Sequence, residues 1–415
     1  MKDNEVDKKD KNNNNNNNAK RLANGKDLRQ VKRRKWEEKQ QRSRHQNKCK
    51  AREEWFERHS SIAIHLTIHN VQKVVAGREP GRGKATHDAA THKKSHTQHD
   101  ADTERSSLME RLLTPYLDMK EQQERAGSSL FIAEGTETVR VLLQNHKRIQ
   151  IQSVLFKPSI FFDPPVSLMN DTMKALGIPD STSKNDDDEK QKQTKQDKPD
   201  DPPFHVLVGD QPLLNDMLGY ESVRGALACG IIPHSDMGTL ERILQRNQDE
   251  EGRPCRFLAT DGICDVANMG AIIRSAAAFG VDAVVIGPDC CDPWYRRSVR
   301  VSMGHIFTVP IVRVPDMAQW IRQAKSSGVA CYAAVLDDDA PMVLEDIPVG
   351  GIPSSWCCVV GSEGSGMKRP VVKECTERIR IGMVDGVDSL SVPIATGILL
   401  HGLRRCSKRT MDEIK

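Results

Sequence analysis

Aromatic residues are scarce in this chain, at 4% of 415 positions, and hydrophobic residues reach only 37% while charged residues reach 28%. Such a chain cannot pack along its whole length. Two folded domains with a disordered tail and insert fit better than the roughly three domains that length alone suggests. No apolar run approaches the ~18 residues of a membrane span, which excludes an integral membrane protein and predicts no membrane partner. The start, Met1-Lys2-Asp3-Asn4-Glu5, lacks the apolar core of a secretory signal, and its acids speak against an organellar transit peptide. The eleven cysteines include the adjacent pairs Cys290-Cys291 and Cys357-Cys358 but no C-x-x-C spacing. A zinc site and a secreted disulfide framework are therefore both poor readings. Reduced, mostly buried thiols in an intracellular protein without a bound metal are expected.

Net charge is only +4, and its distribution is more informative than its total. Between Lys20 and Arg58 there are 15 Lys/Arg against 6 Asp/Glu, and between Asp180 and Asp201 there are 8 Asp/Glu against 5 Lys. A basic arm and a later acidic, solvated insert follow. Asn12 to Asn18 is an asparagine tract with nothing to bury. The run Val31-Lys32-Arg33-Arg34-Lys35 is either a solvated tail or a phosphate-attracting or nuclear-import segment. His87, His92, His96 and His99 lie in a Gly- and Thr-rich stretch without accompanying Cys or acids, so a linker is the better reading than a metal site.

Residues 1–107 are read as a disordered basic, low-complexity arm, and folded character is expected from Leu108. An α/β unit over 108–235 contains strands at Phe131 to Ala133, Ser153 to Phe156, His205 to Val208 and Ala226 to Gly230, interrupted by the polar insert 180–201. A second unit, 252–408, contains six apolar strands beginning at Arg256, Ala283, Val309, Ala330, Cys357 and Arg378. Helical patterns lie between most of them, notably Gly270 to Phe279, Met317 to Ser326 and Ala395 to Arg405. Strands apolar throughout and separated by helices predict a parallel sheet covered on both faces. Ligands of such sheets sit in the loops after the strands.

Three of those loops contain chemistry-bearing residues. In the first, Asp261 to Arg274, Asn268 is expected to cap a helix and Gly270 to let a ligand approach the backbone. Arg274 lies on an otherwise small and apolar helix, where the plain alternative is an ion pair with a nearby carboxylate. The second is Gly361-Ser362-Glu363-Gly364-Ser365-Gly366-Met367. It matches neither G-x-G-x-x-G nor a P-loop, but its three glycines leave backbone amides open. The plain alternative is a turn. In the third, Asp388-Ser389-Leu390-Ser391 precedes Val392-Pro393 and marks a helix start.

In this order the loops resemble the motifs of the SpoU-type (TrmH-like, SPOUT class) RNA ribose 2′-O-methyltransferases. Asn268-x-Gly270-x-Ile272-x-Arg274 with Ala278-Phe279-Gly280-Val281 is similar to the first motif. Val360-Gly361-Ser362-Glu363-Gly364-x-Gly366 is similar to the second, and Ile381-x-Met383 with Ser389-Leu390-x-Val392 to the third. The resemblance extends to Asp292-Pro293-x-Tyr295-Arg296-Arg297 and Arg300-Val301-Ser302-Met303-Gly304. More weakly, Phe131 to Gly135 and Arg224 to Ala228 resemble the family's L30e-like substrate-binding domain.

The resemblance implies an α/β-knot: a parallel sheet with a C-terminal trefoil knot, preceded by the smaller L30e-like α/β domain and the disordered N-terminal arm. It implies a homodimer, an RNA substrate (rRNA or tRNA) and S-adenosylmethionine bound in the knot. Gly361, Ile381 and Leu390 would line the cofactor site with Met383 beside them. Asn268, Arg274, Glu363 and Ser389 match positions of the catalytic centre. There Arg274 would hold the target phosphate and hydroxyl, Asn268 would orient Arg274 or the ribose, and Glu363 would hold that network in place. No metal is implied. The arm suits a nucleus or nucleolus, while the resemblance leaves an organelle (mitochondrion or plastid) open, because related enzymes serve organelles.

The chain departs from the resembled pattern at three positions. Ser391 stands where the family has Asn, Gly382 where it has Pro, and Gly402 where the final helix has an acid. A hydroxyl is shorter than an amide and makes fewer hydrogen bonds. A catalytically lapsed RNA-binding or ribosome-assembly protein that retains the fold is therefore the alternative to an active enzyme.

Overall fold

The computed structural model describes residues 40, 46–48, 50–58, 60, 63–65, 107–117, 129–163, 168–178, 203–218, 225–247, 253–337, 340–384, 386–387 and 389–407. The asparagine tract, the basic run at 31–35, the histidine-rich stretch and the insert 180–201 lie outside these residues. The chain divides into two compact units, Met1–Ser61 and Ile62–Lys415. In the first, residues 50–58 are helical, with Trp55 and Phe56 meeting edge to face at 5.4 Å.

The second unit holds two sheets. The first, in the order β1-β4-β3-β5-β2, comprises β1 Ala63–His65, β2 Leu130–Glu134, β3 Ile151–Phe156, β4 His205–Val208 and β5 Ala226–Ile231. Strands β1, β4 and β3 run parallel, and β5 is antiparallel to both β3 and β2. Thus the segment read as a disordered arm over 1–107 contributes an edge strand, with Ala63 opposite Val206. Three residues are too few to show a period, and pairing with the wholly buried β4 supplies what local pattern does not. Around this sheet lie helices α1 Thr136–Gln144, α2 Pro158–Phe162, α3 Met169–Ala175 and α4 Gln211–Leu218.

Helix α5, Met237–Arg246, capped by Asp236, leads into the second sheet. Its Leu240, Ile243 and Leu244 join that sheet's core, so this core begins before residue 252. The sheet has seven strands, all parallel, in the order β10-β12-β9-β11-β6-β7-β8. They are β6 Arg256–Asp261, β7 Ala283–Ile286, β8 Ile311–Arg313, β9 Ala330–Ala334, β10 Met342–Val343, β11 Trp356–Gly361 and β12 Glu377–Arg380. Every residue of β6 and β7 is buried, as expected of central strands covered on both faces. One cover is α8, Met317–Ser326, whose Trp320 meets Phe257 edge to face at 5.6 Å. The other is formed by α6, Val266–Ala278, and α10, Val392–Cys406, which pack on each other. Two further helices, α7 Arg296–Val301 and α9 Arg369–Glu374, lie between strands of this sheet.

The Asp292 to Gly304 stretch fixes the first sheet to the second. Phe131 of β2 packs against Trp294 at 5.3 Å and Phe307 at 5.2 Å. Glu134, at the end of β2, faces Arg296 at 3.8 Å and Arg300 at 3.5 Å. Gly304, at φ 81°, sits so close to α1 that a Cβ there would lie 2.9 Å from Val141 Cβ.

Candidate active site

The loop after β6 opens α6. Its cap is Asp265, whose Oδ1 accepts the Asn268 N–H at 2.7 Å, and not Asn268 as the sequence pattern suggested. Both residue types cap well, and the chain enters the helix one turn earlier. Asn268 therefore lies within the first turn, and its side-chain amide donates to Glu363 Oε1 at 3.2 Å. The same oxygen accepts the Val392 N–H at 3.2 Å. One carboxylate oxygen thus ties the first motif, the second motif and the start of α10. The hydroxyls expected to cap α10 leave that role to Glu363: Ser391 occupies the cap position but makes no side-chain capping bond. An anion at a helix N-terminus is favoured by the helix dipole as well as by the bond.

The glycine loop after β11 folds back on itself. Gly366 donates its N–H to Ser362 O at 3.0 Å, and the Ser362 and Ser365 hydroxyls meet at 2.8 Å. A Cβ on Gly361 would lie 2.4 Å from the Gly366 carbonyl carbon and 2.4 Å from Met367 N, both backbone atoms. Gly364 and Gly366, the latter at φ +65°, border open space.

Asp261 anchors the far end of this loop. It is 1% exposed at the end of β6, and its Oδ2 accepts the Lys368 N–H at 2.7 Å. Its Oδ1 has no hydrogen-bond partner among the described residues. The Lys368 ammonium pairs with Asp289, which raises the lysine's pKa above its ordinary value. Arg313 in turn donates to the carbonyls of Gly287, Pro288, Cys290 and Cys291. Polar links therefore run across the carboxyl ends of β8, β7, β6 and β11. In the sequence Asp261 stands out only as the edge of a loop. Its signal is an acid at the end of a strand whose centre, Phe257 to Ala259, is apolar.

A cavity of about 540 Å³ opens at the carboxyl ends of β9, β11 and β12. Six of the eight sequence-predicted residues line it: Gly361, Glu363, Ile381, Met383, Ser389 and Leu390. Asn268 is joined to it through Glu363. Arg274 is not on its wall. That side chain is exposed on α6, six residues and so about 9 Å of helix beyond Asn268, and it has no hydrogen bond or ion pair among the described residues. The plain ion-pair reading of Arg274 therefore does not hold. Burial keeps the Cys358 and Cys291 thiols from being activated nucleophiles. Burial pushes Cys358 up to about 12, and burial with neighbouring Cys290 and Cys264 pushes Cys291 up to about 12. Among the described residues no cluster of His, Cys, Asp and Glu could hold a metal ion, and no helix is long and apolar enough to cross a membrane.

A seven-stranded parallel sheet with a glycine-loop cavity at its carboxyl edge defines an α/β ligand-binding fold, and comparison with known proteins narrows the class. Residues 256–401 match the model of the SpoU rRNA Methylase family. A tRNA/rRNA methyltransferase of Mycobacterium tuberculosis, named as uncharacterized, is 38% identical over 141 residues, which cover 34% of this chain and 49% of that protein. A 23S rRNA (guanosine-2′-O-)-methyltransferase RlmB of Nitrosomonas europaea is 33% identical over 206 residues, covering 49% of this chain and 75% of that protein. The chain spans about half the length of the first curated relatives it matches. An AdoMet-bound rRNA methyltransferase from Sinorhizobium meliloti shares the fold at 17% identity, with a TM-score of 0.50 over 83% of this chain and 98% of that one. The chain belongs to the SpoU rRNA methylase family.

Proposed function

We propose that the chain is an S-adenosylmethionine-dependent methyltransferase acting on a ribose 2′-hydroxyl of rRNA or tRNA. A single cavity carries the reading: all four residues expected at the cofactor, Gly361, Ile381, Met383 and Leu390, line it together with Glu363 and Ser389. The residues present fit the cofactor. About 540 Å³ falls within the usual range of small-molecule sites, the glycine loop borders open space at Gly364, and Ile381, Met383 and Leu390 offer apolar contacts. When bound, S-adenosylmethionine supplies a methyl group already activated on a sulfonium.

What remains for the protein is alignment and handling of one proton. Arg274, exposed and unpaired, holds the target phosphate and hydroxyl through its planar fork. A guanidinium with a pKa above ~12 is a poor base, so the hydroxyl proton passes to a neighbouring anion or water. Asn268, fixed by Glu363, orients the ribose side of the site. Ser389 contributes a hydroxyl at the cavity wall.

The reading includes the trefoil knot. Strand β12 lies beyond β9 from β11, yet the segments that follow β11 and β12 line one cavity, which supports a threaded chain. It also includes the L30e-like role of the first sheet in RNA binding, supported by its firm attachment through Phe131 and Glu134. A homodimer is part of the same proposal. Ile394 and Ile398, 57% and 38% exposed one turn apart on α10, offer an apolar stripe to a second copy. The relatives' names favour ribosomal RNA as the first substrate to test.

Calorimetric titration with S-adenosylmethionine, followed by transfer of labelled methyl to total RNA, tests the proposal. Binding and transfer are expected. Binding without transfer to any RNA favours the lapsed, RNA-binding alternative, and absence of both refutes the enzyme reading.

A further inference from the structure

We infer that Glu345 is a positioning residue for the cofactor site, steadied by Leu344 seated on Gly402; the inference rests on the cofactor reading above. Gly382 lies between Ile381 and Met383, both on the cavity wall. Its N–H donates to Glu345 Oε2 at 2.9 Å. Glu345 belongs to the 3-10 turn Leu344–Asp346, which directly follows β10. Because β10 pairs with β12, with Val343 opposite Arg380, the turn is delivered alongside the 381–383 segment.

The same turn is held from the other side by α10. Leu344 is 4% exposed and fills the space that a side chain at residue 402 would need: a Cβ there would lie 2.6 Å from Leu344 Cδ1. Two further contacts secure the segment to the end of α10. Cys406 Sγ donates to Ile347 O at 3.2 Å, and the Ile352 N–H donates to Cys406 O at 3.3 Å. The stretch from Met342 to Ile352 is thus moored to β12 and to α10, and one carboxylate reaches from it to the cavity-lining segment.

Gly382 and Gly402, two of the three positions at which the sequence departs from the resembled pattern, are both touched by this turn. Proline has no N–H, so glycine at 382 creates the donor that Glu345 accepts. Glycine at 402 makes room for Leu344. The two departures belong to one device, and Gly402, which does not line the cavity, is coupled to it through Leu344 and Glu345.

The test compares S-adenosylmethionine binding, turnover at saturating cofactor, and hydrogen exchange of the Gly382 amide. Wild type is set beside Glu345→Ala, Glu345→Gln, Gly402→Ala, Gly382→Pro and the double variant Gly382→Pro/Glu345→Ala. Loss of one exposed hydrogen bond should weaken cofactor binding about twofold to tenfold in Glu345→Ala and leave saturated turnover unchanged. Glu345→Gln, which keeps an acceptor oxygen, should restore binding. Gly402→Ala should shift binding in the same direction as Glu345→Ala. In the Gly382→Pro background the alanine substitution should have no effect, because no donor remains. Gly382 exchange should accelerate in Glu345→Ala whether or not cofactor is present. Unchanged exchange, or an equal alanine effect with and without the Gly382 donor, overturns the inference. A wild-type protein that binds no S-adenosylmethionine overturns the cofactor reading instead, while exchange still decides whether Glu345 holds Gly382.

Discussion

Replacing Glu363 is the perturbation with the most calculable outcome. Its Oε1 accepts two bonds at 3.2 Å, from Asn268 Nδ2 and from Val392 N, and it joins loops that are otherwise far apart in the chain. Each net hydrogen bond contributes about 0.5–1.5 kcal/mol, so Glu363→Ala removes about 1–3 kcal/mol of loop ordering. The side chain is exposed, and water can replace part of that, which favours the lower half of the range. If the loops must be ordered for transfer, the loss corresponds to roughly fivefold to 150-fold in rate. Glu363→Gln retains an acceptor and loses the charge at the N-terminus of α10, for about 0.3–1 kcal/mol. Asn268→Ala removes one of the two bonds. Combined with Glu363→Ala it should cost little more than Glu363→Ala alone, because the shared bond is already gone. Single-turnover methyl transfer with saturating RNA reads all four proteins. Strict additivity of the two alanine substitutions, or wild-type rates for Glu363→Ala, would refute the shared role of this oxygen.

Three other outcomes are expected. Arg274→Lys, which keeps the charge and loses the fork, should lose most turnover while binding S-adenosylmethionine normally, since Arg274 is not on the cavity wall; near-normal turnover would exclude a bidentate role. Gly361→Ala places a methyl 2.4 Å from two backbone atoms of the loop, so it should lower stability by about 1–3 kcal/mol and abolish cofactor binding, as read by thermal shift with and without cofactor. Burial pushes the thiols of Cys229, Cys358 and Cys375 up to about 12 from an ordinary value of 9.0. The unfolded chain therefore releases these protons first, so stability should be fully present below pH 9 and fall as pH rises from 9 toward 12; urea midpoints measured across that interval that do not fall would contradict it.

The central strands of the second sheet were legible because burial on both faces demands apolar side chains, and β7, β9, β11 and the Phe257 to Ala259 centre of β6 are such runs. Edges were less legible. Strand β1 has three residues, β10 has two, and their existence depends on partners distant in the chain. At the site, Gly361 and Glu363 followed from a glycine-rich loop after an apolar strand. Ile381, Met383 and Leu390 followed from the resemblance, since their segment has no period of its own. Asn268 and Asp265 are both good caps, and only the path of the chain into α6 decides between them. The glycines at 382 and 402 read as gaps because their compensation, Leu344 and Glu345, comes from another strand's edge.

The position of the transferred methyl group tests the proposed activity most directly. RNA methylated by the protein with labelled S-adenosylmethionine should be hydrolysed in alkali, which cleaves next to every free 2′-hydroxyl. Label is expected in alkali-resistant dinucleotides, the mark of a methylated ribose. Label recovered on a base in mononucleotides would contradict that activity.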